Sequence, residues 1–218
     1  MNKIENISLE KSISLPAAEK LEMQEICLDW ICNSKCAPPP PHFIKLAVLL
    51  RHSIKGCYWI ESGTYLGETA LFLSKFSLHV HTIEPSNECF QIAKKKLIGI
   101  KNITMHKGSS EDCLEKVLGS VNGKVCFWLD GHFSSGVTFK GANNTPIKFE
   151  LSRIEEHKKK FDEIVILIDD IRMSAMEEED YPPLEYYINW AKSNNLNWTI
   201  EHDIFIAKSK HINLYGSS

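Results

Sequence analysis

Hydrophobic positions along most of the chain follow two periodicities, one typical of strands and one typical of helices. From Cys57 onward, short apolar runs rich in bulky and β-branched residues predict five buried strands. These strands are Tyr58–Glu61, His79–Glu84, Ile103–His106, Val125–Asp130 and Ile164–Asp169. Between them lie segments with helical spacing: Glu68–Phe76, Asn87–Leu97, Glu111–Leu118 and Ile147–Lys160. Strands that alternate with helices predict right-handed crossovers and a mostly parallel sheet.

The two ends of the chain depart from this alternation. Pro16 is expected to open a helix, the run Pro38–Pro41 breaks it, and a second helix follows over about His42–His52. These helices predict an N-terminal helical extension over residues 1–55, ahead of a main domain over residues 56–218. The extension is expected either to cover the active site or to form a homodimer contact.

Near the C-terminus, Pro182 is expected to open a helix that two strands follow. The strands are Trp198–Glu201 and Ile204–Lys208, and the two residues that join them are too few for a crossover helix. This pair should therefore be antiparallel. The predicted fold class is α/β: a Rossmann-like, mostly parallel sheet of seven strands, the last one antiparallel, flanked by helices.

Composition and charge exclude several function classes. The 218 residues are 43% hydrophobic and 24% charged, which is ordinary for a soluble globular protein. The formal net charge of −3 argues against a nucleic-acid partner, which would need a basic surface. No apolar run approaches the ~18 residues of a membrane span, and no apolar signal region is present at the N-terminus. We therefore expect a cytoplasmic protein.

The number and positions of the cysteines are also consistent with a cytoplasmic protein. Seven is an odd number, and several cysteines fall in apparent core segments, which indicates reduced thiols and not a disulfide framework. A loose cluster of Cys27, Cys32, Cys36 and His42 invites a zinc interpretation. Its spacing matches no usual pair of zinc knuckles, so buried or incidental thiols are the better interpretation.

The stretch Tyr58–Leu73 contains the first candidate site, a strand followed by a glycine loop and a helix start. Gly63 and Gly67 bracket a turn where backbone can approach a ligand closely, and Thr64 could cap the helix. The spacing, acidic-x-Gly-x-x-x-Gly from Glu61, is not that of a dinucleotide site. The alternative is a glycine turn that only lets helix and strand pack, and Tyr65 could line a pocket or pack under the loop.

Ligands of open parallel sheets bind beyond the carboxyl ends of the strands. Glu84, at the end of the second strand, can accept hydrogen bonds from both hydroxyls of a ribose. The alternative interpretation is that its negative charge only stabilises the N-terminus of the next helix. Ser109 and Ser110, after the third strand, lie where an adenine edge would be, although a plain helix cap is the competing interpretation.

Together these residues resemble the class I S-adenosylmethionine-dependent methyltransferases, over roughly Tyr58 to Lys208. The resemblance implies that the loop Glu61–Gly67, with Glu61, Gly63, Thr64, Tyr65 and Gly67, packs against the methionine part of S-adenosylmethionine. It also implies that Glu84 holds the ribose and that Ser109 and Ser110 lie near the adenine.

Three aspartates at the next two strand ends carry the candidate chemistry. Asp130 ends the fourth strand, and Asp169 and Asp170 end the fifth. Clustered carboxylates repel unless a cation or a shared proton lies among them, and such ligands suit Mg²⁺, with Mn²⁺ or Ca²⁺ as substitutes. Each aspartate alone could simply end a strand or form a turn, but their placement together favours function.

This arrangement resembles metal-dependent O-methyltransferases, both the catechol type and those that act on sugars of natural products. The resemblance implies that Asp130, Asp169 and Asp170 bind the metal, with Asp130 also at the reactive end of the cofactor. His132 stands where the antibiotic-sugar enzymes have an acidic residue as base. The chain also resembles bacterial methyltransferases that share the PPPH, WLDGH, TPI and IDD stretches. This resemblance implies no particular substrate.

The expected function is therefore Mg²⁺-dependent O-methylation of a small hydroxylated acceptor such as a sugar, with His132 and Asp130 catalytic. Three alternatives remain open. The first is a methyltransferase without a metal, whose aspartates bind the acceptor directly. The second is a metal-dependent hydrolase or glycosyltransferase that uses the same aspartates. The third is a non-catalytic protein with a methyltransferase fold.

Overall fold

The computed structural model describes residues 17–131, 145–176 and 180–215, and the chain divides into two compact units between Pro41 and His42. The first unit contains helix α1 (Ala17–Cys32), after which the chain turns so that Trp30 Nε1 donates a hydrogen bond to the Ala37 carbonyl at 2.7 Å. The second unit contains every other described element. It begins with helix α2 (His42–His52), which sequence alone assigned to the extension over residues 1–55.

The second unit is built on one seven-stranded sheet. Its strands are β1 (Tyr58–Ser62), β2 (His79–Glu84), β3 (Ile103–Lys107), β4 (Gly123–Leu129), β5 (Phe161–Ile168), β6 (Asn197–Glu201) and β7 (Ile204–Lys208). Their order across the sheet is β3-β2-β1-β4-β5-β7-β6. Strands β1 to β5 are parallel, and β7 runs antiparallel to both of its neighbours. The Rossmann-like fold class predicted from sequence is confirmed.

Helices connect the parallel strands, as the alternating pattern predicted. They are α3 (Glu68–Leu73), α4 (Asn87–Lys96), α5 (Ser110–Ser120) and α6 (Ile147–His157), followed by the short α7 (Arg172–Ala175) and by α8 (Leu184–Ser193). Among the described residues, no helix has the length and apolar character needed to cross a membrane.

Alternate residues of the central strands pack into two cores, one on each face of the sheet. On one face, Ile60 of β1 lies beside Phe127 of β4, in a cluster that also takes in side chains from α5, α6 and α8. On the other face, Trp59 lies in a cluster that contains Val48 and Leu49 of α2. Helix α2 is therefore part of the layer that covers this face, because both of those side chains are fully buried.

The carboxyl ends of β1 to β5 meet at one edge of the sheet. The strand order reverses between β1 and β4, which is where ligands bind in open α/β sheets. The backbone stays paired just past these ends: the Asp130 amide donates to the Ser62 carbonyl and the Asp169 amide to the Leu129 carbonyl, both at 3.1 Å. The first residues after β4 and β5 are thus held in fixed positions.

Candidate functional site

The glycine loop after β1 lies directly against the end of β4. Gly63 has a φ of +88°, and a Cβ there would be 2.4 Å from the Asp130 carbonyl oxygen, so only glycine allows this approach. Gly67, with a φ of +81°, precedes α3 and would bring a Cβ to 3.2 Å from Leu97. Both glycines therefore have a packing role, as the simpler interpretation of the sequence held. Most backbone amides between them already donate within the protein: Thr64 to the Ile83 carbonyl and Tyr65 to Glu84.

Thr64 does not cap helix α3, contrary to the sequence interpretation. The residue that precedes the helix is Gly67, which makes no side-chain cap hydrogen bond. The Thr64 hydroxyl instead lies 2.5 Å from that of Thr82, which donates to Glu61 Oε2 at 2.5 Å. Since Thr82 uses its one hydroxyl hydrogen on Glu61, Thr64 must donate to Thr82.

Glu61 lies at the buried end of this hydrogen-bond chain. Its side chain is fully buried, and its second oxygen, Oε1, has no hydrogen-bond partner among the described residues. Burial raises the pKa of Glu61 to about 8; Asp130 and Glu84 act in the same direction, and the Thr82 hydrogen bond opposes them. A buried carboxyl oxygen without a partner, beneath a glycine loop, is suited to a cationic or N–H donor ligand.

Glu84 fastens the glycine loop to the end of β2. One carboxylate oxygen accepts from the Tyr65 amide at 2.7 Å and the other accepts from the Ser86 amide, also at 2.7 Å. Burial raises the pKa of Glu84, while these two backbone hydrogen bonds oppose the shift. Each oxygen has a second lone pair, so the carboxylate can still accept from two adjacent hydroxyls. Tyr65 itself has a φ of +48° and is half exposed.

Ser109 and Ser110 have separate structural partners at the start of α5. Ser109 forms a capping box with Asp112, in which its hydroxyl accepts from the Asp112 amide at 3.3 Å. Ser110 is buried and donates to Glu150 Oε1 at 2.6 Å. Burial raises the pKa of Glu150 to about 7. Contact with an adenine stays a prediction for both serines, and sequence analysis did not single out Glu150.

Asp169 and Asp170 both contact one lysine, and Asp130 lies close enough for its charge to act on the same groups. Lys45 Nζ, from α2, forms an ion pair with Asp169 Oδ2 and lies 3.4 Å from Asp170 Oδ1. Burial raises the pKa of Asp169, and the charges of Asp130 and Asp170 act in the same direction while Lys45 opposes them. Burial lowers the pKa of Lys45, but the same three carboxylates together raise it above its ordinary value.

A second cation, Arg172, contacts the same Asp170 oxygen as Lys45. Arg172 Nη1 donates to Asp170 Oδ1 at 2.7 Å and also pairs with Asp203, in the turn between β6 and β7. Asp203 Oδ1 accepts from the Arg172 amide at 2.8 Å, so this turn anchors the chain after β5. Burial raises the pKa of Tyr181 well above its ordinary value, and Asp170 and Asp130 contribute, which places Tyr181 in the same electrostatic environment.

His42, the first residue of α2, supplies an imidazole on which the charge of Asp130 acts. Its Nε2 lies 3.1 Å from the Thr69 hydroxyl. Burial lowers the pKa of His42; the charge of Lys45 contributes, and Glu68 and Asp130 oppose the shift. The lowered pKa favours the neutral ring, which can accept a proton. His132, the base predicted from sequence, lies outside the described residues.

The arrangement of the aspartates does not fit a bound divalent cation. The ammonium of Lys45 lies against Asp169 Oδ2 and Asp170 Oδ1, and Arg172 donates to the same Asp170 oxygen. Asp169 Oδ1 is buried without a hydrogen-bond partner among the described residues. Over residues 17–131, 145–176 and 180–215, no three His, Cys, Asp or Glu side chains have positions suited to a metal ion. Cys27, Cys32, Cys36 and His42, which also lie in the described ranges, form no such group.

Comparison with known sequences finds no relative: neither a protein-family model nor a curated protein matches the chain. Comparison with solved structures does find similar folds. The O-methyltransferase TomG from Streptomyces achromogenes, involved in tomaymycin synthesis and solved with S-adenosylmethionine, has a TM-score of 0.56 at 14% identity. That match covers 94% of this chain and 93% of TomG.

Two further solved methyltransferase structures have a similar fold. The methyltransferase PaMTH1 from Podospora anserina, bound to S-adenosylhomocysteine, has a TM-score of 0.56 at 12% identity, with 93% of this chain and 92% of that one covered. An O-methyltransferase from Bacillus cereus, also with S-adenosylhomocysteine, has a TM-score of 0.53 at 14% identity, with 91% and 93% covered. Identities this low show the fold alone. The chain therefore has the class I methyltransferase fold.

Proposed function

We propose that this protein transfers the methyl group of S-adenosylmethionine to a hydroxyl of a small acceptor. The proposal rests on one observation: at the carboxyl ends of the strands, a glycine loop held by Glu84 adjoins the aspartate cluster. The solved O-methyltransferases of similar fold support the reaction class. A hydrolase or glycosyltransferase would use the aspartates but give the glycine loop and Glu84 no ligand.

The cofactor half of the site is the loop with the carboxylates beneath and beside it. Glu84 would hold the two ribose hydroxyls while it keeps its bonds to the Tyr65 and Ser86 amides. Glu61 Oε1, buried and without a partner in the described structure, would take a donor of the methionine part, such as its amino group, directly or through a water. Asp130, on the β4 side of Gly63, would then lie near the sulfonium.

The chemical half must position an acceptor hydroxyl and remove its proton. In the transfer, the acceptor O–H bond breaks, a new O–C bond forms to the methyl carbon, and the C–S bond breaks to leave S-adenosylhomocysteine. In-line positioning of these atoms can supply up to ~7–11 kcal/mol. We assign proton removal to His42: when Nε2–H donates to Thr69, Nδ1 is left to accept the proton.

We propose the acceptor class from the polar side chains around the aspartates. Asp130, Asp170 and Tyr181 offer several hydrogen-bonding groups, which suits a polyhydroxy molecule such as a sugar. The magnesium ion expected from sequence is not part of this proposal. It enters no step here, because Lys45 already lies against the carboxylates that would bind it.

Calorimetry with S-adenosylhomocysteine tests the cofactor half. The wild type should bind one equivalent, and Glu84→Ala should bind at least tenfold more weakly, since hydrogen bonds to a charged group contribute about 1.5–3 kcal/mol each. Glu88→Ala, an exposed glutamate in the first turn of α4, is the matched control and should bind like the wild type. Binding of UDP-glucose in place of S-adenosylhomocysteine would contradict the proposal.

A further inference from the structure

Lys45 is placed unlike an ordinary surface lysine. It comes from α2, outside the strand edge that supplies the aspartates, and its side chain is only 16% exposed. The carboxylate it pairs with, Asp169, is completely buried. A buried carboxylate needs a compensating charge, and the cation found there is an ammonium from the protein itself.

The ammonium contacts one oxygen of each aspartate, Asp169 Oδ2 and Asp170 Oδ1, which a metal bridging the pair would also need, while Asp169 Oδ1 is buried without a partner among the described residues. A divalent cation such as Mg²⁺ binds carboxylate oxygens at about 2.0–2.1 Å, so an ion bound through Asp169 Oδ2 and Asp170 Oδ1 would lie in the space that Lys45 Nζ fills. The two positive charges would also repel strongly at such a separation. The lysine and the metal are therefore alternatives.

Lys45 also has the capacity to contact an acceptor. An ammonium has three N–H donors, and in the described part of the chain the hydrogen bonds of Nζ go to Asp169 and Asp170. One donor remains for an acceptor oxygen. Arg172 also donates to Asp170 Oδ1, so each of the two aspartates is paired with a cation of the protein itself.

We propose that Lys45 is the resident cation of the aspartate cluster, replacing the divalent metal, and that it orients the acceptor oxygen and stabilises the negative charge that develops there. The role at the acceptor rests on the proposed methyl transfer. The proposal that Lys45 replaces the metal does not rest on methyl transfer, because it concerns only the protein without cofactor or acceptor. It follows that removal of the ammonium should leave Asp169 and Asp170 uncompensated, so that the pair binds a divalent cation whose other ligands are water.

Manganese binding to the full-length chain without cofactor tests this directly, with free Mn²⁺ followed by electron paramagnetic resonance. The wild type should show no site that depends on Asp169. Lys45→Ala and Lys45→Gln should each gain one Mn²⁺ per chain, bound at least tenfold more tightly than by the wild type. Adding Asp169→Asn to Lys45→Ala should abolish the gain.

Lys124→Ala is the matched control, because Lys124 also pairs with a carboxylate, Glu163 on the neighbouring strand, at 2.7 Å. It should behave like the wild type. One Mn²⁺ bound by the wild type and lost in Asp169→Asn would overturn the proposal. So would folded Lys45 variants, by circular dichroism, that bind no more Mn²⁺ than the wild type. Failure to bind S-adenosylhomocysteine would refute only the methyl-transfer proposal, since the Mn²⁺ titration uses no cofactor.

Discussion

Glu61 shows how a single residue can couple the site to stability. It lies in β1 in the sheet interior, where it has one hydrogen bond from Thr82 and an oxygen without a partner in the described structure. Its folded-state pKa of about 8 is far above the 4.5 of an exposed glutamate. The folded protein therefore binds a proton at Glu61 that the unfolded chain releases, at any pH between these two values.

The free energy of unfolding should accordingly fall as pH rises from about 4.5 to about 8. Glu61→Gln mimics the protonated form, so its stability should decline less across that range, by a few kcal/mol at about 1.4 kcal/mol per pKa unit. Urea unfolding of both proteins at about pH 5 and about pH 8.5 measures this difference. Glu88→Gln, at an exposed site, should follow the wild type. Identical pH profiles for wild type and Glu61→Gln would show that Glu61 is charged when folded.

At the scale of elements, the loop from β1 to α3 is held by contacts with two other strand ends. The Gly63 and Thr64 amides donate to the Ile83 carbonyl at 3.0 and 3.1 Å, and Gly63 lies against Asp130. The loop therefore depends on β2 and β4 together, and its shape changes if either contact is lost.

Gly63→Ala should weaken both the fold and cofactor binding. The new Cβ meets the Asp130 backbone and the left-handed φ is unfavourable, so we expect a loss of roughly 2–4 kcal/mol in the free energy of unfolding. The affinity for S-adenosylhomocysteine should fall more than tenfold, because the loop must move. Chemical denaturation and calorimetry measure the two effects.

Gly99→Ala separates backbone strain from steric contact. Gly99 has a φ of +85°, but a Cβ added there would have no atom within 4 Å, so only the strain of about 1–2 kcal/mol should appear. Its affinity for S-adenosylhomocysteine should equal that of the wild type. Equal losses of stability and affinity in the two variants would mean that the contact of Gly63 with Asp130 is unimportant.

Sequence periodicity was sufficient to predict the strands of the sheet, because each strand has its own apolar pattern. It was insufficient for Thr64, whose hydroxyl could cap α3 or bond Thr82 across β1 and β2; the second choice depends on strand pairing that no local pattern contains. Lys45 was missed for a similar reason. A lysine among the apolar residues of α2 resembles a solvated position, and only tertiary packing brings it to Asp169.

At the scale of the whole molecule, α2 belongs to the sheet unit by its packing as well as its contacts at the site. Val48 and Leu49 are fully buried in one core. At its C-terminal end, His52 Nε2 lies 3.1 Å from Glu201 Oε2 of β6. These contacts argue for a domain boundary at residues 41/42, whereas the boundary at 55/56 was predicted because the prolines and helices precede the first strand.

Two shortened chains distinguish these boundaries. Residues 42–218 should unfold cooperatively and bind S-adenosylhomocysteine, since they keep α2. Residues 56–218 lack Val48 and Leu49, each contributing about 1.5–3 kcal/mol by burial, and also leave Asp169 without Lys45. Because domains are stable by only about 5–15 kcal/mol, this chain should be largely unfolded or aggregated. Thermal unfolding by circular dichroism compares the two, and a cooperative transition of 56–218 at the same temperature as 42–218 would favour the boundary at 55/56.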